Sequence, residues 1–354
     1  MRKKAPHKIT LFLLFLTAIS VFTIPACSSK SLWLQSDRMN STTGQAEQSS
    51  PAQKPAATKV VSHALGQAEI PLHPQRIVVL DGSFLLDPLL AIGIKPVGAA
   101  TCPYCIKSDT LNQFVADIPL VGHWEQPSLE KILSLKPDLI VGHIWQKQYY
   151  TLLSAIAPTV MIDTDSEVDF KKNLKYLAAI LDRSDRAEEI LAEYNQRIQK
   201  FRQQLGEKLK TKTVSVLHLY GSDPTVHVYG SDFAPYGQVM IDAGIPLIPA
   251  YKKLKGYLEV SLEALPEWDA DILFIDVLRE TDSEKLKSLS FLKQPIWSTL
   301  KAVQNDRVYA VSWSSTVVGP ITANQLIDDL YRYFANMSDL GLNHAPTLPG
   351  RQTP

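Results

Sequence analysis

Two short runs set a histidine beside a tryptophan, or two residues before one, where an apolar stretch ends: VGHW at 121–124 and VGHIW at 141–145. Loops of this kind suit two chemistries. Indole, phenol and imidazole groups can cover the carbon frame of a bulky, partly apolar ligand and hydrogen-bond its oxygens. Alternatively, His123 and His143 could approach each other and ligate a metal, with an aspartate or tyrosine completing the set. Their spacing matches no compact zinc pattern, and no metal ligand is assigned. Cys102 and Cys105 form the C-x-x-C of TCPYC. Such a pair serves redox chemistry, half a zinc site or a small disulfide. No second C-x-x-C accompanies it, and in an oxidising compartment a disulfide pinning a loop is the simpler reading, with free thiols the alternative. The sequence has no G-x-S-x-G, P-loop or G-x-G-x-x-G. The two YGSD tetrapeptides, at 220–223 and 229–232, read as turns beside strands, where Ser and Asp are common. No catalytic residue is assigned, and the chain is not read as an enzyme.

The elements that must hold these residues alternate between strand and helix. RIVVL, KPVGAA, DLIVG and TVMI are short apolar runs suited to strands buried on both faces. Between them, DPLLAIG reads as a short helix with Asp87 at its cap, Pro88 at its first position and Gly93 at its stop. Leu129–Leu135 and YYTLLSAIA read as two more helices. This rhythm predicts a mainly parallel sheet covered by helices. It stops at 166–210. SEVD opens one helix like a capping box and DRAE, at 185–188, opens the next. There Ile190, Leu191, Tyr194, Ile198, Phe201, Leu205 and Leu209 keep a spacing of three or four, which defines one buried face of a long helix. Strand patterns return at TVSVLHLY, TVHVYG, ADILFID and DRVYAVS, and a last helix runs from about 321 to 337. The expected fold is α/β: two Rossmann-like lobes with mainly parallel sheets, joined by one long α-helix. Expected boundaries are 61–182 for the first lobe, 183–210 for the bridging helix, 211–343 for the second lobe and 344–354 for a tail.

Across 354 residues, 45% are apolar and 20% charged, with zero formal charge and no basic stripe to suggest nucleic acid. The first 26 residues hold Arg2, Lys3, Lys4 and Lys8 ahead of the apolar run ITLFLLFLTAISVFTI, the layout of a secretory signal. At sixteen residues the run falls short of the roughly 20 needed to span a bilayer. IPACSS follows. A small residue before Cys27 resembles a bacterial lipoprotein signal, which implies acylation of Cys27; ordinary cleavage nearby is the alternative. Residues 27–60 are rich in Ser, Thr, Gln, Ala and Pro, the composition of a flexible tether.

One phrase occurs twice. SLEKILSLKPDLIVGH begins at Ser128 and SLEALPEWDADILFI at Ser261. At an offset of 133, Ser128, Leu129, Glu130 and Asp138 meet Ser261, Leu262, Glu263 and Asp271, and Leu139-Ile140-Val141 meets Ile272-Leu273-Phe274. Each copy reads as a capped helix start, with an acid in its first turn, leading into a buried strand. A shared helix-to-strand grammar could produce this by chance; duplication explains more of it. The export signal, tether, twin lobes and bridging helix together resemble the substrate-binding proteins of iron–siderophore and cobalamin ABC importers, the class III periplasmic binding proteins. The resemblance runs from about Arg76 to Leu340 and is carried by RIVVLDGSFLLDPLLAIGIKPVGAA, VGHWEQPSLEKILSLKPDLIVG, VSLEALPEWDADILFI and VQNDRVYAVSWSSTVVGPITANQLIDDLYRYF.

That resemblance implies a ferric siderophore held between the lobes as cargo, with no cofactor; cobalamin, haem or a bare metal ion are the alternatives. It implies docking of Glu130 and Glu263 on ABC permease subunits served by an ATPase. It also implies a monomer in the periplasm or at the cell surface, anchored to the membrane as a lipoprotein. In such folds ligands lie against loops at the carboxyl ends of strands. Those loops supply Ser83, Tyr104, His123, Trp124, His143 and Trp145 from the first lobe. The second lobe supplies Tyr220, Tyr229, Tyr251, Tyr257, Arg279 and Trp313. Relatives often carry arginines in the first lobe's cleft; none stands in these loops, which favours a near-neutral chelate.

Overall fold

A computed structural model describes residues 57–82, 84–101, 111, 114–163, 169–219, 225–231, 233–234, 236–277, 290–313 and 318–335. All of them fall in one unit that begins at Pro55.

A hairpin comes first. β1 (Thr58–His63) pairs antiparallel with β2 (Gly66–Pro71). This corrects the expected tether, whose last residues are the start of β1. Only Val61 and Ile70 of the hairpin are fully buried, so its alternation is too faint to stand out in sequence.

The first lobe is a six-stranded sheet. In chain order its strands are β3 (Ile77–Val79), β4 (Gly98–Thr101), β5 (Leu120–His123), β6 (Gln126–Pro127), β7 (Leu139–His143) and β8 (Thr159–Ile162). They lie side by side as β6-β5-β4-β3-β7-β8, and every pair is parallel except β5 with β6. Helices α1 (Leu86–Ala91), α2 (Leu129–Ser134) and α3 (Tyr150–Ser154) connect them, and α4 (Phe170–Ile180) follows. Asp169 caps α4, accepting from the N–H groups of Lys171 and Lys172; residues 164–168, with most of the expected capping box, lie outside the described residues.

α5 (Ser184–Leu209) is the long helix: 26 residues, or about 39 Å at 1.5 Å per residue. Its whole predicted stripe is buried, together with Ala187. The second sheet follows: β9 (Val214–Leu219), β10 (Val226–Tyr229), β11 (Tyr257–Val260), β12 (Ile272–Val277) and β13 (Val308–Val311), ordered β11-β10-β9-β12-β13. Here β9, β12 and β13 run parallel, whereas β10 is antiparallel to both its neighbours. Too few residues separate β9 from β10 for a crossover helix, so the chain can only return antiparallel. Helices α6 (Gly237–Ala243), α7 (Pro249–Lys253), α8 (Pro295–Thr299) and α9 (Lys301–Gln304) belong to this lobe, and α10 (Pro320–Ala335) closes the described chain.

Strand alternation sorts the core into three layers. Val78 and Ile140 point to the outer face of the first sheet, against Ile132 of α2. Leu217, Leu273 and Ile275 point to the outer face of the second, against Leu265 and Trp268. Ile77, Val79, Leu139, Val141, Val214, Val216, Ile272 and Phe274 all face one shared central layer, filled by the apolar sides of α1, α4, α5, α6 and α10.

Polar ties cross that layer. Tyr194 of α5 donates to Asp242 of α6 at 2.7 Å, and Lys171 of α4 meets the same oxygen at 2.5 Å. Arg197 of α5 reaches Asn324 and Asp328 of α10. The Asp87 carboxylate departs from expectation. It lies inside α1 and caps α10 instead, accepting from Ile321 N–H (2.9 Å), Thr322 N–H (3.0 Å) and the Thr322 hydroxyl (2.7 Å). Gly93 does end α1, with φ of 80° just past the cap, where a side chain would be strained.

The duplicated phrase has one structural meaning in both lobes. Asp138, entering β7, accepts from Gln75 N–H (2.7 Å) and Arg76 N–H (2.8 Å) at the entry of β3. Asp271, entering β12, accepts from Thr213 N–H (2.8 Å) and its hydroxyl (3.0 Å) at the entry of β9. Each aspartate staples two neighbouring parallel strands at their amino ends.

Candidate functional site

The parallel strands deliver their chemistry at the opposite, carboxyl, ends. Trp124 follows β5, and its backbone N–H donates to Thr101 O of β4 at 2.8 Å. Gly122 makes that turn possible: its φ is 108°, and an added Cβ would lie 2.9 Å from both Gln126 O and Ser128 N. Trp145 sits in the 3₁₀ turn Ile144–Tyr149, immediately after β7. The two indoles meet edge to face at 5.5 Å. Together with Glu125, Ile144, Lys147 and Gln148 they line a cavity of ≈ 570 Å³. Among the described residues its charged lining is one carboxylate and one ammonium.

Gln146, absent from the sequence candidates, organises this wall. It is fully buried. Its Oε1 accepts from His143 N–H (2.7 Å), while its Nε2 donates to Trp124 O (3.0 Å) and Leu80 O (3.3 Å). One amide thus ties the ends of β3 and β7 and the loop after β5. The pattern His143-x-x-Gln146 is a capping box with histidine in the serine place, and that spacing was the available clue.

His143 lies beneath the wall, not on it. It is buried, stacked on Trp145 at 4.4 Å and 15°, with Phe84 edge-on at 6.0 Å. One ring nitrogen accepts the Gln146 N–H in the capping box, and Nε2 lies 3.1 Å from Asp81. Fully buried beneath Trp145, His143 presents no atom to the cavity, which corrects its place among the ligand contacts and, with it, the two-histidine idea. His123 is half-buried beside Trp124 (5.7 Å) and near Glu125, whose N–H donates to His123 Nδ1 at 3.3 Å. Among the described residues, no group of three or more His, Cys, Asp or Glu side chains is placed to hold a metal ion.

In the second lobe, Tyr229 and Tyr257 face each other across β10 and β11 at 6.0 Å, with Phe233 stacked on Tyr229 at 5.8 Å and 11°. Tyr257 is 62% exposed, the most open of these rings. Two other candidates belong to the core. Tyr251 is 2% exposed; its hydroxyl accepts from Val216 N–H and donates to Val216 O, near Ser215 Oγ, and burial pushes its pKa up to about 12. Trp313, 3% exposed, packs on Phe274 at 4.6 Å and Tyr236 at 6.1 Å. In sequence, an aromatic residue near a strand end reads the same whether its ring turns outward or inward; these two turn inward to fill the layers under the second sheet. Ser83, Tyr104, Tyr220 and Arg279, the Cys102–Cys105 pair and Cys27 lie outside the described residues.

Glu130 and Glu263 are exposed and occupy matching places. Glu130 is in the first turn of α2, where Ser128 accepts from Lys131 N–H at 3.4 Å. Glu263 is in the first turn of the 3₁₀ helix Leu262–Trp268, which contains Pro266. Its carboxylate is held below the ordinary range by its own backbone N–H and by the Ser261 hydroxyl. Both helices cover the outer face of their sheet and lead into the strand next to one of its edges, β7 or β12.

Residues 77–312 match the family model described as "Periplasmic binding protein". The chain is 30% identical over 340 residues to a protein of Bacillus subtilis (strain 168) named "Probable siderophore-binding lipoprotein YfiY", covering 91% of this chain and 97% of that one. It is 34% identical over 274 residues to an achromobactin-binding periplasmic protein of Dickeya dadantii (strain 3937), covering 73% and 86%. The crystal structure of Staphylococcus aureus SirA complexed with staphyloferrin B is similar at a TM-score of 0.67 and 28% identity, covering 78% of this chain and 99% of that chain.

Proposed function

This chain belongs to the periplasmic binding protein family, and on that premise we propose that it is the substrate-binding component of an ABC importer, capturing a ferric siderophore and delivering it to a membrane permease. The observation that carries the reading is the braced pair Trp124–Trp145 over a cavity at the carboxyl ends of β5 and β7. Two indole faces cover the carbon frame of a chelate, and the one acid and one base among the described lining residues support one near neutrality. Relatives named for siderophores over most of their length support the same cargo class. Cobalamin, haem and bare metal are the alternatives.

In this reading residues 61–182 and 211–343 are the two lobes, and Tyr229 and Tyr257 form the second lobe's side of the cleft. The working protein is an extracytoplasmic monomer held at the membrane through acylated Cys27. Among the described residues no helix is long and apolar enough to cross a membrane. The test is a titration of the purified full-length protein, following tryptophan fluorescence, with ferric hydroxamate, catecholate and carboxylate chelates, cobalamin, haem and ferric ion. Saturable quenching by a ferric chelate is expected. Quenching by cobalamin or haem, with none from any chelate, would replace the siderophore reading.

Glu130 and Glu263 are the proposed permease contacts. Acids on equivalent elements of the two lobes suit a pseudo-twofold partner, where charge complementarity sets orientation and encounter rate. The double charge reversal Glu130→Lys, Glu263→Lys is expected to abolish uptake of iron-55 chelate by cells while leaving affinity in vitro unchanged. Lost affinity in the purified variant would place these residues elsewhere in the function.

A further inference from the structure

The duplication extends below the surface. β3 pairs with β7 so that Ile77, Val78 and Val79 oppose Leu139, Ile140 and Val141, which carries Asp81 opposite His143. β9 pairs with β12 in the same register, with Val214 opposite Ile272 and His218 opposite Asp276. The offset of 133 that aligns the repeated phrase takes His143 to Asp276. Each lobe therefore holds a His–Asp pair at the same place in its sheet, with the two partners exchanged. His143 Nε2 lies 3.1 Å from Asp81 Oδ2, with side chains 0% and 6% exposed. His218 Nδ1 lies 3.3 Å from Asp276 Oδ2, with both side chains at 0%. By alternation both pairs face the shared central layer, at the carboxyl ends of neighbouring interior strands.

Burying an imidazole and a carboxylate is costly unless each is matched, so a twofold occurrence asks for a use. The rings they touch supply one. His143 stacks on Trp145 at 4.4 Å, and Trp145 lines the cavity. His218 meets Tyr229 edge-on at 4.5 Å, while its Nε2 is 2.7 Å from the Tyr236 hydroxyl. In both lobes a carboxylate oxygen lies 3.1–3.3 Å from one imidazole nitrogen and a hydrogen bond holds the other. Buried between these groups and the neighbouring rings, the imidazole has little room to flip or swing.

We infer that the two His–Asp pairs are positioning residues, each fixing an imidazole that sets the plane of one aromatic wall of the cargo site: Trp145 in the first lobe and Tyr229 in the second. The inference rests on the cargo-binding reading of that site, and its test separates the two. The exchange found in nature supplies the decisive variant. Asp81→His with His143→Asp installs the second lobe's arrangement in the first. The pair survives, and an aspartate at 143 remains a good cap for the turn at 144–149. Only the ring beneath Trp145 is removed.

In full-length, ligand-free protein, acrylamide quenching of Trp145, isolated as the difference from Trp145→Phe, is expected to increase in both His143→Gln and the exchanged double variant. The melting temperature should fall in His143→Gln and return close to wild type in the double variant. Ferrioxamine B, a ferric trihydroxamate used as probe, should bind about tenfold more weakly to both, a loss near 1.4 kcal/mol. Trp145 quenching at wild-type levels in both variants would overturn the inference. So would full recovery of quenching by the exchange, because the pair would then be purely structural. If quenching changes as expected but wild type binds none of the chelates, the bracing stands and the cargo reading fails.

Discussion

Asp87→Ala is expected to destabilise the protein by about 3 kcal/mol at neutral pH, lowering its melting temperature by roughly 5–10 °C. Helix α10 begins Gly319-Pro320, so neither residue at its start has a side chain that can cap it. The cap comes from 234 residues earlier, where Asp87 receives two backbone N–H groups and the Thr322 hydroxyl. Removing the carboxylate leaves the Ile321 and Thr322 N–H groups unmatched, while the Thr322 hydroxyl keeps Gly319 O as an acceptor. The approach is close: a Cβ on Gly319 would lie 2.4 Å from Asp87 Cγ, so Gly319→Ala should disturb the same joint. Burial raises the Asp87 pKa to about 6, against the opposing pull of Thr322 and the Ile321 and Thr322 N–H groups. An acid with a raised native pKa binds its proton more tightly folded than unfolded, so its contribution to stability is greatest in acid and declines as pH rises through about 6. Alanine has no such dependence. The gap between wild type and Asp87→Ala in melting scans should therefore widen from pH 7 to pH 4.5. A gap that narrows in acid would contradict the raised pKa.

Trp124→Ala and Trp145→Ala should each weaken binding of the recognised ferric chelate about 10- to 100-fold, from loss of roughly 1.5–3 kcal/mol of aromatic burial. The rings touch at 5.5 Å, so the double variant should lose less than the product of the single losses. Equilibrium binding to the purified protein measures both. Melting temperatures should change little, because Trp145 is 38% exposed and lies outside the three core layers. Tyr251→Phe is the control: it removes the hydroxyl that bonds Val216, and should lower stability without changing affinity. Unchanged affinity in both tryptophan variants would move the cargo away from the first lobe's wall.

Local periodicity carried much of this architecture. The stripe from Ile190 to Leu209 is legible because a helix repeats its buried face every turn. The echo at 128 and 261 is legible because the first-turn acid and the strand-entry aspartate recur, although Ser128 caps its helix and Ser261 does not. What could not be read depends on contacts between residues distant in sequence. Asp87 looks like the cap of its own helix, since nothing nearby names Ile321 and Thr322 as its partners. Tyr251 and Tyr257 stand six residues apart with the same chemistry, yet one seals a core and the other lies open. His143 carries a plausible ligand's identity, and only the strand register shows Asp81 beside it.

The central layer has a mechanical corollary. Val79 and Val141 from one sheet and Val216 and Phe274 from the other pack into a single apolar mass with α5 and α10. Prising the halves apart would wet that mass, at about 25 cal/mol for every Å² uncovered. The two sheets therefore behave as one stiff body, in which wide separation costs far more than local movement at the rims.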